Sequence, residues 1–423
     1  MIHYGSQDIY ERTAGMNWRA VWNKSGYSNT SLSITSQEFE EDWYETSTGI
    51  YSNRNHTDER AFKFRNVNHC RIMPFFALDF GAEAKLLHSD FDNWAVARTN
   101  ALGDSVPEWN LNRSVSASKA AGFVNTILIP FPKMTATLGL RSDYFSMNDE
   151  ITFSPRTSVS YQLDPLTRIT GSAGLLSQTL PLLFLSKHAE NKSLRSPSAL
   201  HFMVGVEHLL AADTRMTVEV YQKTYSRFPL DPDQPALFVL DDRYYTFSGK
   251  LQDSGKAFSR GIELMIQKKL ARDFYGLATA AFFRSRYRGA DGIWRDRNYD
   301  NRISFSVEGG YKPNRTWEFS LRWIFAGGVP YTPLDIESSS RLHRMVLDGS
   351  RVNALRHPNY HSMNFRFDKR FHFSRSNLIF YLSVWNVYNR KNVAMVFWND
   401  AEQKEDVIYQ WLLLPIFGLE FEL

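Results

Sequence analysis

The chain has a single cysteine, Cys70, in 423 residues. One thiol excludes an internal disulfide and leaves no second thiol for a cysteine-ligated metal. Long apolar runs are missing too. The richest stretches, Leu180–Leu185 and Leu412–Phe417, are short and interrupted by proline, against the ~18 residues that a spanning helix needs. A helical membrane protein is excluded. A β-barrel is not, because its lipid contacts come from alternate residues and vanish in an average. No sign of charge dominates: 49 Lys and Arg stand against 45 Asp and Glu, dispersed along the chain. With no basic cluster there is no nucleic-acid face, and the charges read as solvated surface.

Catalytic patterns are equally scarce. The 11 histidines show no metal spacing; the nearest approach to a pair is His357 and His361, which could come together in a loop. Gly309-Gly310 and Gly327-Gly328 lack phosphate-loop context and read as strand bends or turns. No nucleophile elbow is present. We therefore assign no catalytic residue, no metal site and no cofactor. The opening residues, Met1-Ile2-His3-Tyr4-Gly5-Ser6, lack the charged and apolar regions of a secretory signal.

What is abundant is aromatic side chains, 15% of residues within an ordinary 43% hydrophobic content. They are patterned. In Asn364–Phe373, Phe365, Phe367, Phe371 and Phe373 share one parity with Lys369, and Asn364, Arg366, Asp368, Arg370 and His372 share the other. Period two means a strand with one oily and one polar face. Trp317, Phe319, Leu321, Trp323 and Phe325 alternate with Glu318, Ser320 and Arg322 in the same way, and Phe417, Leu419, Phe421 and Leu423 with Gly418, Glu420 and Glu422. Charges on one face of so many strands need a wet interior, since a buried unpaired charge is very costly. The alternative is a soluble sandwich whose charged face meets bulk water.

About 17 strands are predicted, near 12–23, 27–41, 59–71, 75–89, 112–128, 133–147, 152–163, 166–178, 199–211, 214–227, 256–269, 274–287, 298–311, 315–326, 358–373, 377–398 and 406–423. Short joints with turn chemistry, such as Ala212-Asp213, Arg272-Asp273 and Pro313-Asn314, alternate with long joints. That sorting is the mark of an up-and-down barrel with two unlike rims. Aromatics near strand ends (Trp18, Trp22, Tyr144, Phe145, Tyr225, Phe228, Tyr275, Trp317, Trp398) suit interfacial girdles.

From Lys256 onward the chain resembles the C-terminal barrel of TonB-dependent outer-membrane receptors. Lys256-Ala257-Phe258-Ser259-Arg260-Gly261-Ile262-Glu263-Leu264 is similar to that family's arginine-glycine-x-glutamate strand, and Tyr299-Asp300-Asn301-Arg302 to its tyrosine-aspartate-x-arginine segment. Trp323–Pro333 resembles its aromatic strand and glycine-x-proline-tyrosine-threonine loop, Tyr360–Phe371 its antepenultimate strand, and Val384–Asn392 its asparagine-rich penultimate strand. Upstream, Phe153–Tyr161 and Gly174–Gln178 also fit. The family usually ends in phenylalanine, where this chain ends in Leu423.

The resemblance implies an all-β, antiparallel up-and-down transmembrane barrel of 22 strands filled by an N-terminal plug. Residues 1–423 match about 17 of those strands as a single barrel domain, so the expectation is a C-terminal piece without plug or TonB box. It also implies residence in the outer membrane of a Gram-negative bacterium, contact with its lipid, and coupling to the inner-membrane TonB complex through the plug. The implied function is uptake of a scarce nutrient such as a siderophore, cofactor, oligosaccharide or peptide. A passive diffusion channel or a barrel enzyme are the alternatives. Ligand-binding candidates are the aromatic and basic residues of the long loops: Trp94, Trp109, Tyr244, Tyr245, Phe247, Trp294 and Arg295. Aromatics with arginine suit flat, polar or anionic ligands; the plain alternative is that these residues pack on one another or on lipopolysaccharide.

Overall fold

In a computed structural model of the chain, residues 3–22, 25–46, 48–241 and 249–423 are described. Seventeen long strands follow one another, each hydrogen-bonded antiparallel to the next. The first ten are β1 (His3–Trp22), β2 (Gly26–Glu45), β3 (Tyr51–Met73), β4 (Phe76–Ala95), β5 (Trp109–Phe131), β6 (Met134–Phe145), β7 (Glu150–Gln162), β8 (Thr167–Ser177), β9 (Ser198–Ala211) and β10 (Thr214–Leu230). The remaining seven are β11 (Gln252–Ala271), β12 (Phe274–Arg288), β13 (Ile303–Tyr311), β14 (Trp317–Ala326), β15 (Tyr360–His372), β16 (Asn377–Trp385) and β17 (Leu414–Glu422). Among the described residues β1 pairs only with β2 and β17 only with β16, so the sheet has two unpaired edges.

The short joints turn for local reasons. Arg272 and Asp273 both take positive φ, +50° and +67°, the left-handed pair that a two-residue hairpin requires. At Asp164 and Asn314 a side-chain oxygen accepts two backbone N–H groups of the turn (2.8 and 3.0 Å; 2.8 and 3.1 Å), a side-chain substitute for a backbone turn. All these tight turns lie at one end of the sheet, and the long loops at the other.

Register then sets the faces. Phe274, Tyr311, Phe319, Phe367, Leu382 and Phe417 stand opposite one another across six successive strands. Most of them are exposed, Phe417 to 77%. Soluble proteins rarely leave contiguous apolar surface beyond roughly a few hundred Å2 uncovered; a hydrocarbon solvent removes the conflict. The row beside it on the opposite face, Tyr275, Gly310, Ser320, Arg366 and Ser383, is polar. That face carries ion pairs: Arg366 to Asp368 at 2.5 Å, Lys312 to Glu318 at 3.2 Å and Arg370 to Glu422 at 3.5 Å. Two glycines are needed here for space. A Cβ on Gly310 would meet the Tyr275 ring at 2.3 Å, and one on Gly418 the Tyr381 ring at 2.6 Å, so each tyrosine lies flat over a neighbouring strand's glycine.

Strand length divides the sheet. β13 to β17 have 9 to 13 residues, close to the ~9–11 that cross a bilayer. β1 to β5 have 20 to 23. On β4 the outward residues are Leu78, Phe80, Ala82, Ala84 and Leu86, then His88, Asp90, Asp92 and Trp94. The switch from apolar to charged marks where lipid ends, and the strands continue into water as a ribbon of about 30 Å (~3.3 Å per residue).

Several expected boundaries move. The joints predicted at 42–58 and 90–111 are largely strand, because β2 to β5 extend into them. The strand predicted over 377–398 stops at Trp385: Asn386 and Asn389 take φ of +51° and +55°, and Asn386 clasps Arg390 through N–H and C=O (3.0 and 2.8 Å). Beyond that turn, Val393–Asn399 and Lys404–Tyr409 form a hairpin of their own. Of the nine proposed girdle aromatics, Phe145, Tyr225, Phe228, Tyr275 and Trp398 do not face lipid. Phe145 and Trp398 are buried, Tyr225 and Phe228 pack on a loop cluster, and Tyr275 looks into the polar bore.

Candidate functional site in the outer mouth

The long loops fold over the polar face. Residues 178–197 carry a short helix, α1 (Leu182–Ser186), whose apolar run has no water-facing side. Phe184 and Leu185 are fully buried, in a cluster with Phe91, Leu111, Val115 and Phe145 on the inward ends of β4, β5 and β6. Asn191 stitches this loop to the next: its amide donates to the Phe184 carbonyl (3.0 Å) and its carbonyl accepts from Leu251 N–H (2.9 Å). Residues 231–241 follow suit. Phe238 stacks on Tyr287 (4.9 Å, 26°) and meets Phe228 edge-on (5.2 Å, 76°), and the Tyr287 hydroxyl donates to Ala236 C=O (2.7 Å).

A third loop, 327–359, reaches across the mouth. Its helix α2 (Ile336–Leu342) starts on Asp335, which accepts from Ser338 N–H (3.0 Å). Leu347 N–H donates to Ala101 C=O (2.6 Å), joining the β14–β15 loop to the β4–β5 loop, ten strands away around the wall. On another side His343 meets Asp400 (3.1 Å) and Ser340 donates to Gln403 (2.6 Å).

The same loop is pinned to the wall by a charged knot. Asp300 is fully buried; one oxygen accepts from Ser285 N–H (2.7 Å) and the other from Arg356 (2.6 Å). Arg356 also binds Asp296 (2.6 Å) and the Gly328 carbonyl (2.9 Å). Asp296 further meets Arg302 (2.9 Å), Arg286 (3.2 Å) and Arg284 (3.4 Å). Burial works to raise the Asp296 carboxyl, but hydrogen bonds from Arg356 and Arg302 outweigh it and hold it below the usual range. His357 stacks on Tyr331 (4.2 Å), and burial pushes its pKa down.

Beneath the loops a cavity of about 370 Å3 opens in the inner wall. β10 contributes Tyr221, β11 Ser259 and Glu263, β12 Phe283 and Ser285, and the following loop Arg297 and Tyr299. Arg297 is held by Asp241 (2.5 and 3.1 Å) with its guanidinium over the Phe238 ring (5.0 Å). Hydroxyls, one carboxylate, one guanidinium and an aromatic face can grip a polar ligand with planar parts. Among the described residues no group of His, Cys, Asp or Glu is disposed to hold a metal ion.

The sequence-predicted site residues separate. Trp109 faces inward, under the Lys187 ammonium (3.8 Å), and Arg295 is clamped by Asp291 (2.9 and 2.6 Å). Trp94 faces outward, stacked on Tyr51 (5.6 Å) and donating to Glu108 (2.9 Å). Trp294 packs on outward Phe258 (5.4 Å). Tyr244, Tyr245 and Phe247 lie outside the described residues. The structure brings none of the four described candidates to the cavity. The residues that line it come from strand interiors, where lumen parity was the available signal, and from the segment around Tyr299.

An up-and-down antiparallel wall, oily outside and charged inside, with turns at one rim and folded loops at the other, defines an outer-membrane β-barrel protein. The family model described as TonB dependent receptor-like, beta-barrel matches residues 3–389, and the chain belongs to that family, whose proteins reside in the Gram-negative outer membrane. Solved structures share the fold. A mutant of the ferric enterobactin receptor of Pseudomonas aeruginosa superposes with a TM-score of 0.71 at 12% identity, over 98% of this chain and 62% of that one. The siderophore receptor PiuA from Acinetobacter baumannii gives 0.67 at 11%, over 99% and 65%. The ferric-catecholate import receptor Fiu of E. coli K12 gives 0.67 at 11%, over 99% and 64%. The chain thus spans under two thirds of these receptors' length. No curated protein sequence matches it.

Proposed function

We propose that this chain is the barrel wall and outer mouth of a receptor that imports a ferric siderophore, driven by TonB acting through a plug. The observation that carries the reading is the cavity in the inner wall at Tyr221, Glu263, Arg297 and Tyr299. Anionic chelates with aromatic arms fit a pocket that offers a guanidinium, hydroxyls and ring faces. The similarity to receptors for ferric enterobactin and other ferric siderophores supports this ligand class. The two unpaired edges favour closure by further strands, because an open sheet edge in hydrocarbon leaves backbone groups unsatisfied. On this reading the wall does no covalent chemistry.

The test is equilibrium binding of a panel of ferric siderophores to the purified protein. Micromolar or tighter binding is expected for at least one, weakened by Arg297→Ala and Tyr299→Ala. Binding of none, or binding indifferent to both substitutions, removes the siderophore assignment. A passive channel would instead give steady conductance in a planar bilayer, which the loops packed on the inward strand ends argue against.

A further inference from the structure

Import needs no covalent step, yet the outer face carries the groups for one, on β4 and β5 just above the lipid-facing band. His88 on β4 stands opposite Ser116 on β5, and Asp90 opposite Ser114. Parity puts all four outward, and both serines are exposed. The His88 Nδ1 lies 2.9 Å from Ser116 Oγ, and its Nε2 lies 3.2 Å from Asp90 Oδ2. Among the described residues no other histidine meets a hydroxyl through one ring nitrogen and a carboxylate through the other.

The proton positions follow from the partners. The Ser114 hydroxyl donates to Asp90 and, with His88 alongside, holds that carboxyl below its usual range, so it is ionised and only accepts. The Nε2 of the neutral imidazole therefore carries its hydrogen, toward Asp90, and the bare Nδ1 accepts from Ser116. That is the tautomer a general base needs to take a serine proton. No nucleophile elbow announces it, because serine and base meet across two strands, 28 residues apart in sequence.

Height on the wall selects the substrate. One step toward the turns the row reads Ile34, Phe62 and Leu86 across β2, β3 and β4, all exposed. This last apolar row lies about 7 Å below His88, two residues along the strand. An acyl chain resting on it brings its ester to the level of Ser116. Arg60 stands opposite His88 on β3, held by Asp58, and is the cation of that row whose N–H donors suit an oxyanion.

We propose that Ser116 and His88, positioned by Asp90, form an acyl hydrolase on the outer wall that cleaves the long-chain ester of an outer-leaflet lipid. Ser116 Oγ attacks the ester carbonyl carbon while His88 Nδ1 takes the serine proton. The carbon–oxygen bond to the rest of the lipid breaks, His88 gives the proton to the leaving oxygen, and acyl-Ser116 remains. Water then adds to that carbonyl as His88 takes one of its protons; the serine oxygen leaves and recovers it. Ester and water become an alcohol and a fatty acid, and nothing is oxidised or reduced.

The test is fatty-acid release by the full chain from detergent micelles holding diacyl phosphatidylethanolamine or, separately, lipid A, the two sources of such an ester. Release from at least one is expected, falling ~100-fold or more in Ser116→Ala and in His88→Gln. Ser36→Ala, in the same row on β2, should leave the rate unchanged. A fluorophosphonate should attach to Ser116 and not to Ser114, read by peptide mass. Asp90→Asn should lower kcat more than it changes KM and move the acid limb of the kcat/KM profile to lower pH, because the imidazolium loses its carboxylate; an unmoved limb would remove that positioning role. No release from either lipid, release that survives both Ser116→Ala and His88→Gln, or hydrolysis confined to a soluble acetate ester would each overturn the proposal. Unaltered heat-modifiable mobility of the variants shows that a loss is not misfolding.

Discussion

Replacing Asp300 by alanine should unfasten the largest loop from the wall without disturbing the strands. Two interactions are lost together. The Ser285 N–H loses its acceptor at 2.7 Å, and an unsatisfied buried donor costs about 1–3 kcal/mol. Arg356 loses its partner at 2.6 Å; removing one member of a buried pair costs about 3–5 kcal/mol. Arg356 keeps Asp296 and the Gly328 carbonyl, and its side chain is 24% exposed, so the lower end applies and the two costs overlap. A net of about 3 kcal/mol is expected, which is ~100-fold in the opening equilibrium at about 1.4 kcal/mol per decade. Amide exchange of residues 297–302 and 353–357 should accelerate by that factor, while residues 178–197 exchange as before. Asp300→Asn, which retains an oxygen for Ser285, should fall between. Native protection in the alanine variant, or equal loosening of residues 178–197, would refute the knot as the fastener.

Other outcomes follow from the same contacts. Phe184→Ala should free the α1 loop at a cost of about 3–5 kcal/mol, read as new protease cleavage within 178–197. His357 has its pKa pushed below the ordinary 6.5 by burial, so the unfolded loop binds the proton more tightly and stability rises with pH. Protection of residues 353–359, taken relative to the intrinsic exchange rate at each pH, should therefore fall as pH drops below 6.5, and His357→Gln should flatten that response. Val307→Arg, facing lipid, should cost about 2–4 kcal/mol in urea-monitored insertion into vesicles, whereas Ser306→Arg, facing the bore, should cost little.

The strand succession was legible because one solvent on each face writes period two into every span. β13 to β17 show it plainly: Phe, Leu and Trp alternate with Ser, Glu and Arg. The upper halves of β2 to β4 were illegible for the converse reason. Water bathes both their faces, so Ser52-Asn53-Arg54-Asn55-His56, inside the joint predicted at 42–58, carries no alternation and reads as loop. The break at Trp385 hid behind an aromatic run, although two left-handed asparagines make it. For the site, Tyr299-Asp300-Asn301-Arg302 was visible as a segment, but its pairing with Arg356, some fifty residues on, is set by how loops close. Trp94 and Trp294 read in sequence as loop aromatics; register places both on the outer face, a distinction that one-residue parity decides and composition cannot.

Site-directed spin labelling along β13 tests the lipid-outside, water-inside wall most directly. With Cys70→Ser as background, single cysteines at positions 303 to 308 would be labelled in vesicles. Labels at 303, 305 and 307 should relax with lipid-soluble oxygen and those at 304, 306 and 308 with an aqueous nickel chelate, in antiphase. Labels shielded from both reagents at alternate positions, as in two stacked sheets, would contradict the account.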